Sequence, residues 1–533
     1  MQSARTVDRP SARRIGVYGW GVVAPGARDV EALESLLTSG RSALSPRAGP
    51  TGHELFPVGE PDFAFEPYAN WIAERHGEAY VARIRSKTGD NVQFALGATI
   101  QALQCHPQLE ALLRELDGAC QVLIGSGVGD LPESYRAARS LERATRAWNR
   151  FWSQPSHCLA RRRFEAERVV PPAGTPPLDP ALLAVDSEER LEASVAWDAF
   201  WASQSDELCA FLERFAAIER MDADDEETAS PHLNAIRKRT RTHRLLMAEF
   251  GCPEPPWTAV SPNLIWNIQN AAAAQVTMLL DVHGAGWAPV GACSTFGVAL
   301  KCGHDAIQSG EAKAAVVGTT DPRPDPALIG AFHRARVLPA TGVVNLPFTS
   351  LRGTHVSGGA CVWIIGDADW CEPRGLTPVG GYVEAVALSS DAEHIITPSK
   401  SGPVRAIERA YQQAGITRHD VALIDLHATG TPGDLNELLL IEDFIGDKTR
   451  VTARKGQLGH GMANSGGWEL TALALGLRRG KAFPTGIDAA DINPRVPRAS
   501  AIVTGEAALG GKVGVKLMLG IGGITACVVM RGA

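Results

Sequence analysis

Apolar and polar positions along this chain follow two rhythms, and the places where one gives way to the other divide it. Residues 15–23 (IGVYGWGVV) alternate glycine with β-branched and aromatic side chains and then meet Pro25-Gly26, which predicts a strand entering a turn. Residues 91–103 (NVQFALGATIQAL) carry apolar side chains at helical spacing. A short apolar run at 121–124 follows and reads as a strand ending in the glycine-rich segment 125–129.

Beyond Pro132 the character changes. From Glu133 to about Trp257 the pattern is that of long charged helices with aromatic side chains, such as SEERLEASVAWDAFWASQSDELCAFLERF. They are separated by the proline-rich VVPPAGTPPLDP and the acidic MDADDEE. Trp148, Trp152, Trp197 and Trp201 lie here, and the expected fate of such residues is to pack on each other and on the main body. A partner-binding or dimer-contact surface is the other reading.

After Trp257 strands and helices alternate again. Residues 288–290 read as a short strand, 294–309 as a helix of small residues, 312–318 and 421–426 as buried strands, and 470–477 as part of a helix. Residues 513–530 form two apolar runs joined by Gly-Ile-Gly-Gly, as paired strands around a tight turn would. Strands alternating with helices predict a mixed α/β fold with helices covering a sheet.

Composition narrows the function classes. The chain has 533 residues, 45% of them hydrophobic and 21% charged, as in ordinary soluble proteins. A net charge of -7 gives no general attraction to nucleic acid or to anionic membranes. The 10 cysteines include no CxxC pair, so neither a disulfide framework nor a structural zinc site is expected, and reduced thiols in the cytoplasm are the simplest reading. The first residues are basic, but no apolar stretch follows them before residue 15, and no run reaches the ~20 apolar residues of a membrane helix.

Four segments could carry chemistry. In Val290-Gly-Ala-Cys293-Ser-Thr-Phe-Gly297 a strand turns at small residues and a helix begins at or just after the cysteine. The helix dipole there favours thiolate, and free N–H groups could hold an oxyanion; a buried structural cysteine is the plainer alternative. His427, in IDLHATGTPGD, sits at the carboxyl end of a predicted strand, where α/β folds gather ligands, with hydroxyls at Thr429 and Thr431 beyond it. His460 lies among glycines, five residues after Lys455. The fourth is the glycine-rich turn within Leu519-Gly-Ile-Gly-Gly-Ile524, which has neither the lysine-serine pair nor the following helix of a phosphate loop.

The order and spacing of these segments resemble the β-ketoacyl-acyl-carrier-protein synthases of the Cys-His-His type. The nucleophile motif is similar to Gly291-Ala292-Cys293-Ser294-Thr295, the His-Gly-Thr-x-Thr motif to His427-Ala428-Thr429-Gly430-Thr431, and the Asp-x-x-Glu after it to Asp434–Glu437. The Lys-x-x-x-Gly-His motif is matched in full by Lys455 to His460. A thiolase would carry a second cysteine near Gly520–Gly523, and the Cys-His-Asn synthases an asparagine in place of His460. There are departures. Gly359 stands where an acidic residue is usual, Ile521 where a gating phenylalanine is usual, and Thr525 where an asparagine is usual.

The resemblance implies a thiolase-like five-layered α-β-α-β-α fold of two similar halves. Residues 13–130 and 257–345 would form the half with the nucleophile, 346–533 the half with both histidines, and 131–256 a helical insertion outside the family pattern. It implies Cys293, His427, His460 and Lys455 as catalytic residues, with Lys455 orienting His427 or its loop and Glu437 its ionic partner. Thr429, Thr431, Ile521, Gly522 and Phe296 would meet substrate, and Glu437 and Asp434 would support the site. Backbone N–H groups of Cys293 and Ile521 would hold the oxyanion. The reaction implied is decarboxylative condensation of an acyl group on Cys293 with a malonyl thioester, without metal or organic cofactor. The implied partners are an acyl carrier protein and a second copy of the chain. A non-elongating partner akin to a chain-length factor, and an acyltransferase that does not decarboxylate, are the alternatives. Arg161–Arg163 and Arg237–Arg239 are candidate docking sites for an acidic carrier, although a solvated helix face explains them as well.

Overall fold

The computed structural model describes residues 13–49, 52, 55–171, 174–221, 231–393 and 401–533. Residues 1–12, 172–173 and 222–227, which include most of the basic start and of the acidic run, lie outside the described residues.

Ten strands pair into one sheet: β1 (Ile15–Val23), β2 (Cys120–Gly125), β3 (Gly286–Trp287), β4 (Ala314–Asp321), β5 (Gly359–Asp367), β6 (Tyr382–Ser390), β7 (Val421–Asp425), β8 (Arg450–Thr452), β9 (Val513–Gly520) and β10 (Ile524–Arg531). Their order is β8-β7-β9-β10-β6-β1-β5-β4-β2-β3. This order contains a duplication. Each group of five runs third, second, fourth, fifth, first in its own chain order, with the first three parallel and the last two antiparallel. The two groups meet at β1 and β6, whose register is recorded at Gly16 and Tyr382.

The long central strands are mostly apolar because both faces are covered. Helices α1 (Asp90–Gln104) and α2 (Ala271–Leu280) pack on one face of the first half. Helix α3 (Thr295–Ser309) belongs to the central core. Helix α4 (Ser401–Ala414) joins the outer core of the second half. Helix α5 (Ser465–Arg479) shares the central core with α3 and contributes to it Trp468, Leu470, Leu473 and Leu477. Three apolar cores separated by two half-sheets give the five layers that the resemblance implies.

Residues 134–264 form a second unit with its own interior. Trp148 and Trp152 pack with Phe211 in one aromatic cluster, and Trp197 and Trp201 with Cys158 in another. The four tryptophans are thus buried by neighbours within their own unit.

Two strand expectations shift. The strand expected at 288–290 is Gly286–Trp287, because the chain leaves the sheet before Pro289, which has no N–H to give a ladder. The strand expected at 312–318 is Ala314–Asp321, and its extension delivers a buried carboxylate to the end of the sheet.

Candidate active site

The duplication places two similar turns next to each other, each opening a central helix. In the first, Ala292–Ser294 leads into α3, Gly291 N–H donates to Thr295 Oγ1 at 2.9 Å, and Ala292 has φ +49°. In the second, Met462–Asn464 leads into α5, Gly461 N–H donates to Ser465 Oγ at 2.8 Å, and Met462 has φ +50°. The left-handed residue turns the chain sharply and costs about 1–3 kcal/mol unless its surroundings hold it. The residue after it is Cys293 in one turn and Ala463 in the other, so only one of the paired turns carries a thiol.

Cys293 is 7% exposed. The turn that holds it packs against the link between β9 and β10: Ser294 Oγ donates to the Ile524 carbonyl at 2.9 Å. The expectation that the helix dipole favours thiolate is corrected here. Burial pushes the thiol up to about 11, against the opposing effects of the Ile521 backbone N–H and of the Lys455 ammonium. A cysteine at the start of a helix is therefore held protonated by desolvation, and acylation has to remove its proton during the reaction.

His427 and His460 lie close together and nearly perpendicular, with ring centroids 5.5 Å apart and planes at 85°. Their hydrogen bonds assign the tautomers. Met462 N–H donates to His460 Nδ1 at 3.1 Å, and the Lys455 ammonium faces His427 Nδ1 at 3.4 Å. A ring nitrogen that accepts leaves the proton on the other, so both imidazoles present an Nε2–H. Both are held neutral. Burial, then the charge of Lys455, lowers His427 well below the ordinary range and His460 to about 3.

Lys455 is the centre of this arrangement, and its ionic partner is corrected. The ammonium donates to the His427 carbonyl at 2.6 Å and to Glu469 Oε1 at 2.7 Å. Glu437, expected in that role, instead accepts from the backbone N–H groups of His427 at 2.7 Å and Ala428 at 2.8 Å. Asp434 accepts from Thr429, Gly430 and Phe348 N–H at 2.8, 3.1 and 3.0 Å. The two carboxyls thus clamp the loop after β7 from below, and burial raises Glu437 to about 7 and Asp434 to about 6. Thr429 and Thr431 join hydroxyls at 2.9 Å and remain partly exposed.

The remaining candidates separate. Ile521 is 47% exposed at the turn that also contains Gly522, φ +94°. Phe296 is fully buried and meets Trp363 edge-on at 5.4 Å, so it packs under the helix of Cys293 and has no open face. Gly359, in place of an acidic residue, has φ +145°, and a Cβ there would lie 2.0 Å from the Val23 carbonyl oxygen. No side chain fits at that position.

Sequence reasoning missed four buried charges. Glu469 and Lys516 are single charges inside apolar runs, Asp425 ends a buried strand, and Asp321 ends β4. Asp321 accepts from Ser126 Oγ, Gly127 N–H, Val128 N–H and Ala463 N–H at 2.7 to 3.1 Å, tying the glycine-rich loop after β2 to the second turn. A lone charge in an otherwise apolar run was the signal that could have found them. Among the described residues no group of His, Cys, Asp and Glu could hold a metal ion, and no helix is long and apolar enough to cross a membrane.

Two stretches of the chain match known protein families. Residues 253–365 match the family described as beta-ketoacyl synthase, N-terminal domain, and residues 381–486 match beta-ketoacyl synthase, C-terminal domain. Cys293 falls in the first stretch and His427, Lys455 and His460 in the second. The chain is 30% identical over 228 residues to 3-oxoacyl-[acyl-carrier-protein] synthase 2 of Staphylococcus aureus (strain COL), covering 41% of this chain and 55% of that protein. It is 28% identical over 272 residues to nodulation protein E of Rhizobium meliloti (strain 1021), covering 48% and 65%. The chain thus spans little more than half the length of the Staphylococcus protein. Among solved structures, a beta-ketoacyl synthase from Burkholderia phymatum STM815 superposes with TM-score 0.67 at 16% identity over 98% of this chain and all of that one. The ishigamide ketosynthase/chain length factor gives 0.65 at 18%, with the same coverage. The fold is thiolase-like.

Proposed function

We propose that this chain, two stretches of which match the β-ketoacyl synthase domain families, is a condensing enzyme of that family that joins an acyl group on Cys293 to a malonyl unit with loss of carbon dioxide. The observation that carries this reading is the nearly perpendicular pair of neutral imidazoles, each carrying its proton on Nε2, next to the turn of the buried Cys293 thiol.

In the first half-reaction Cys293 sulfur attacks the carbonyl of an acyl thioester, its proton passes to a base and the carrier leaves as a thiol. The N–H groups of Ile521 and Cys293 stabilise the tetrahedral oxyanion, and one lost donor of this kind costs about 3 kcal/mol. In the second, a malonyl thioester loses CO2 and leaves an enolate. Two Nε2–H donors can meet the enolate oxygen as charge develops on it, and a neutral imidazole is the right species because it does not quench the carbanion by giving up a proton outright. The carbanion attacks the acyl-cysteine, the C–S bond breaks, and the thiolate regains a proton as the β-ketoacyl thioester leaves. None of these steps transfers an electron.

The substrates in this reading are acyl and malonyl thioesters of a carrier protein, in fatty acid or polyketide-type synthesis. Thr429 and Thr431 contact the pantetheine arm, the working form is a homodimer, and the compartment is the cytoplasm. The helical unit 134–264 interrupts the nucleophile half as an insertion. A non-elongating partner subunit is less well supported, because it has no need of a nucleophile and two poised imidazoles, and a plain acyltransferase has no use for enolate stabilisation.

Intact mass of the protein after incubation with an acyl-carrier thioester tests the reading. The expected result is one acyl adduct that is absent in Cys293→Ala, followed by CO2 release when malonyl carrier is added. No adduct with acyl chains of several lengths would sink the reading.

A further inference from the structure

Behind the histidines lies a row of charges that the proposed chemistry does not itself use. Lys516 and Asp425 are register partners on the parallel strands β9 and β7, and Lys516 Nζ reaches Asp425 Oδ1 at 2.9 Å. The same ammonium lies 2.7 Å from Glu469 Oε2, while Lys455 takes Glu469 Oε1. It also donates to the Leu426 carbonyl at 2.9 Å and lies 3.4 Å from that of Asp425. Arg454 closes the row, 3.6 Å from Asp425 Oδ2. All five side chains are at most 2% exposed.

We propose that Lys516 is a positioning residue for the condensation half-reaction, holding His427 through the end of β7 and through the carboxylate it shares with Lys455. The inference rests on the condensing reading of the site. Three successive carbonyls, those of Asp425, Leu426 and His427, are bound by two ammonium groups, and those two groups are joined by one carboxylate. Lys455 alone cannot do this work: it reaches only the last carbonyl, and its own place depends on Glu469, whose second oxygen is held by Lys516. The hydrogen bonds and ion pairs of Lys516 go to Asp425, Leu426 and Glu469 and not to Cys293 or Ile521, so acylation does not depend on it in the same way.

The row has a second consequence. Arg454, Lys455 and Lys516 carry three positive charges against the two negative charges of Asp425 and Glu469, an excess of one. The other ionisable groups around the imidazoles include Glu437 and Asp434 under the loop, Asp321 behind the second turn, Cys293, and the buried His355, whose carbonyl accepts from the His460 N–H and whose ring is lowered to about 4 by burial. The positive excess opposes protonation of both rings, and Lys516 adds to that effect at His427 and at His460. Removing Lys516 brings the row to zero and makes the rings easier to protonate.

The test is Lys516→Met in the full-length protein, read in three ways: acyl loading by intact mass, condensation kinetics against malonyl carrier, and NMR titration of histidines with His427 and His460 assigned by substitution. The expected result is acyl loading close to wild type and a condensation kcat lowered about tenfold to a hundredfold with little change in malonyl KM. The acid limb of the profile and the ring titrations should both rise by about one pH unit. Wild-type kcat together with unmoved titrations would overturn the proposal and leave the condensing reading intact. If the wild type neither loads an acyl group nor releases CO2, the condensing reading falls, and the titrations still report on Lys516. Should Lys516→Met not fold, Lys516→Met with Asp425→Asn removes the pair and keeps the excess of one. That variant should titrate like wild type yet keep the low kcat, because the carbonyl clamp is gone; wild-type kcat in it would equally reject the role.

Discussion

Lys455 Nζ and Glu469 Oε1 stand 2.7 Å apart with both side chains out of water, and the ammonium of that pair is the one that faces His427. A buried ion pair is weak evidence for stability, since desolvation offsets most of its attraction. Its value here lies in geometry: it fixes a donor on the Nδ1 side of an imidazole and so directs Nε2–H into the site.

Lys455→Met should therefore separate the two half-reactions. The acyl adduct on Cys293 should still form, while condensation falls by about two orders of magnitude as His427 loses its tautomer and its anchor. Parallel assays of acyl loading and of CO2 release check this. Equal losses in both would mean that Lys455 serves acylation as much as condensation.

Glu469→Gln leaves two ammonium groups without the carboxylate that joins them. Breaking a buried pair in this way costs about 3–5 kcal/mol, because an uncompensated charge remains. A matching drop in the denaturant midpoint is expected, and a stability within 1 kcal/mol of wild type, about the scale of an ordinary surface change, would contradict it.

His460 makes the pH dependence of stability legible. Its folded-state value of about 3 lies below the ordinary 6.5, so between those values the unfolded chain binds a proton that the folded chain does not. Its contribution is fully present above pH 6.5 and is lost as pH falls toward 3, at about 1.4 kcal/mol per pH unit. His460→Gln has no such loss, so the stability difference between variant and wild type should move in the variant's favour from pH 7 to pH 4.5. Burial of Asp321, Asp434 and Glu437 acts in the opposite direction, but in both proteins alike, and cancels in the difference.

With its thiol pushed up to about 11, Cys293 should alkylate slowly at neutral pH. The iodoacetamide rate at this residue, followed by peptide mass, should keep rising through pH 9 and 10. A plateau reached near pH 7 would show that the thiolate is stabilised in the free enzyme after all.

Ile521 is half exposed where a gate would stand, and it is smaller than phenylalanine. Ile521→Phe should slow loading of long or branched acyl groups several-fold more than loading of acetyl, by narrowing the mouth without touching the backbone N–H. An unchanged chain-length preference would remove Ile521 from acyl selection.

Much of this site could be read from residue order alone. Cys293, His427, Lys455 and His460 sit where a strand ends or a helix begins, and such points are marked locally by small residues, glycines and a change of period. Strands 15–23, 120–125 and 421–425 were legible for the same reason: both faces are covered, so nearly every position is apolar. The duplication was legible only through the family resemblance and not from the residue pattern itself, because it is a repetition of strand order and direction, and many apolar sequences satisfy the same order.

Tertiary structure alone decided which charges work together. Glu469 lies 14 residues from Lys455, and Asp425 lies 91 from Lys516, so no local pattern pairs them. Within its own run Lys516 interrupts an apolar strand, and only the register of β9 on β7 and the packing of α5 turn that interruption into a partner for two carboxylates. The protonation state of Cys293 was also decided there. A helix N-terminus is a local feature that sequence can show, whereas desolvation depends on everything packed around the sulfur, and here desolvation outweighs the Ile521 N–H and the Lys455 ammonium that oppose it.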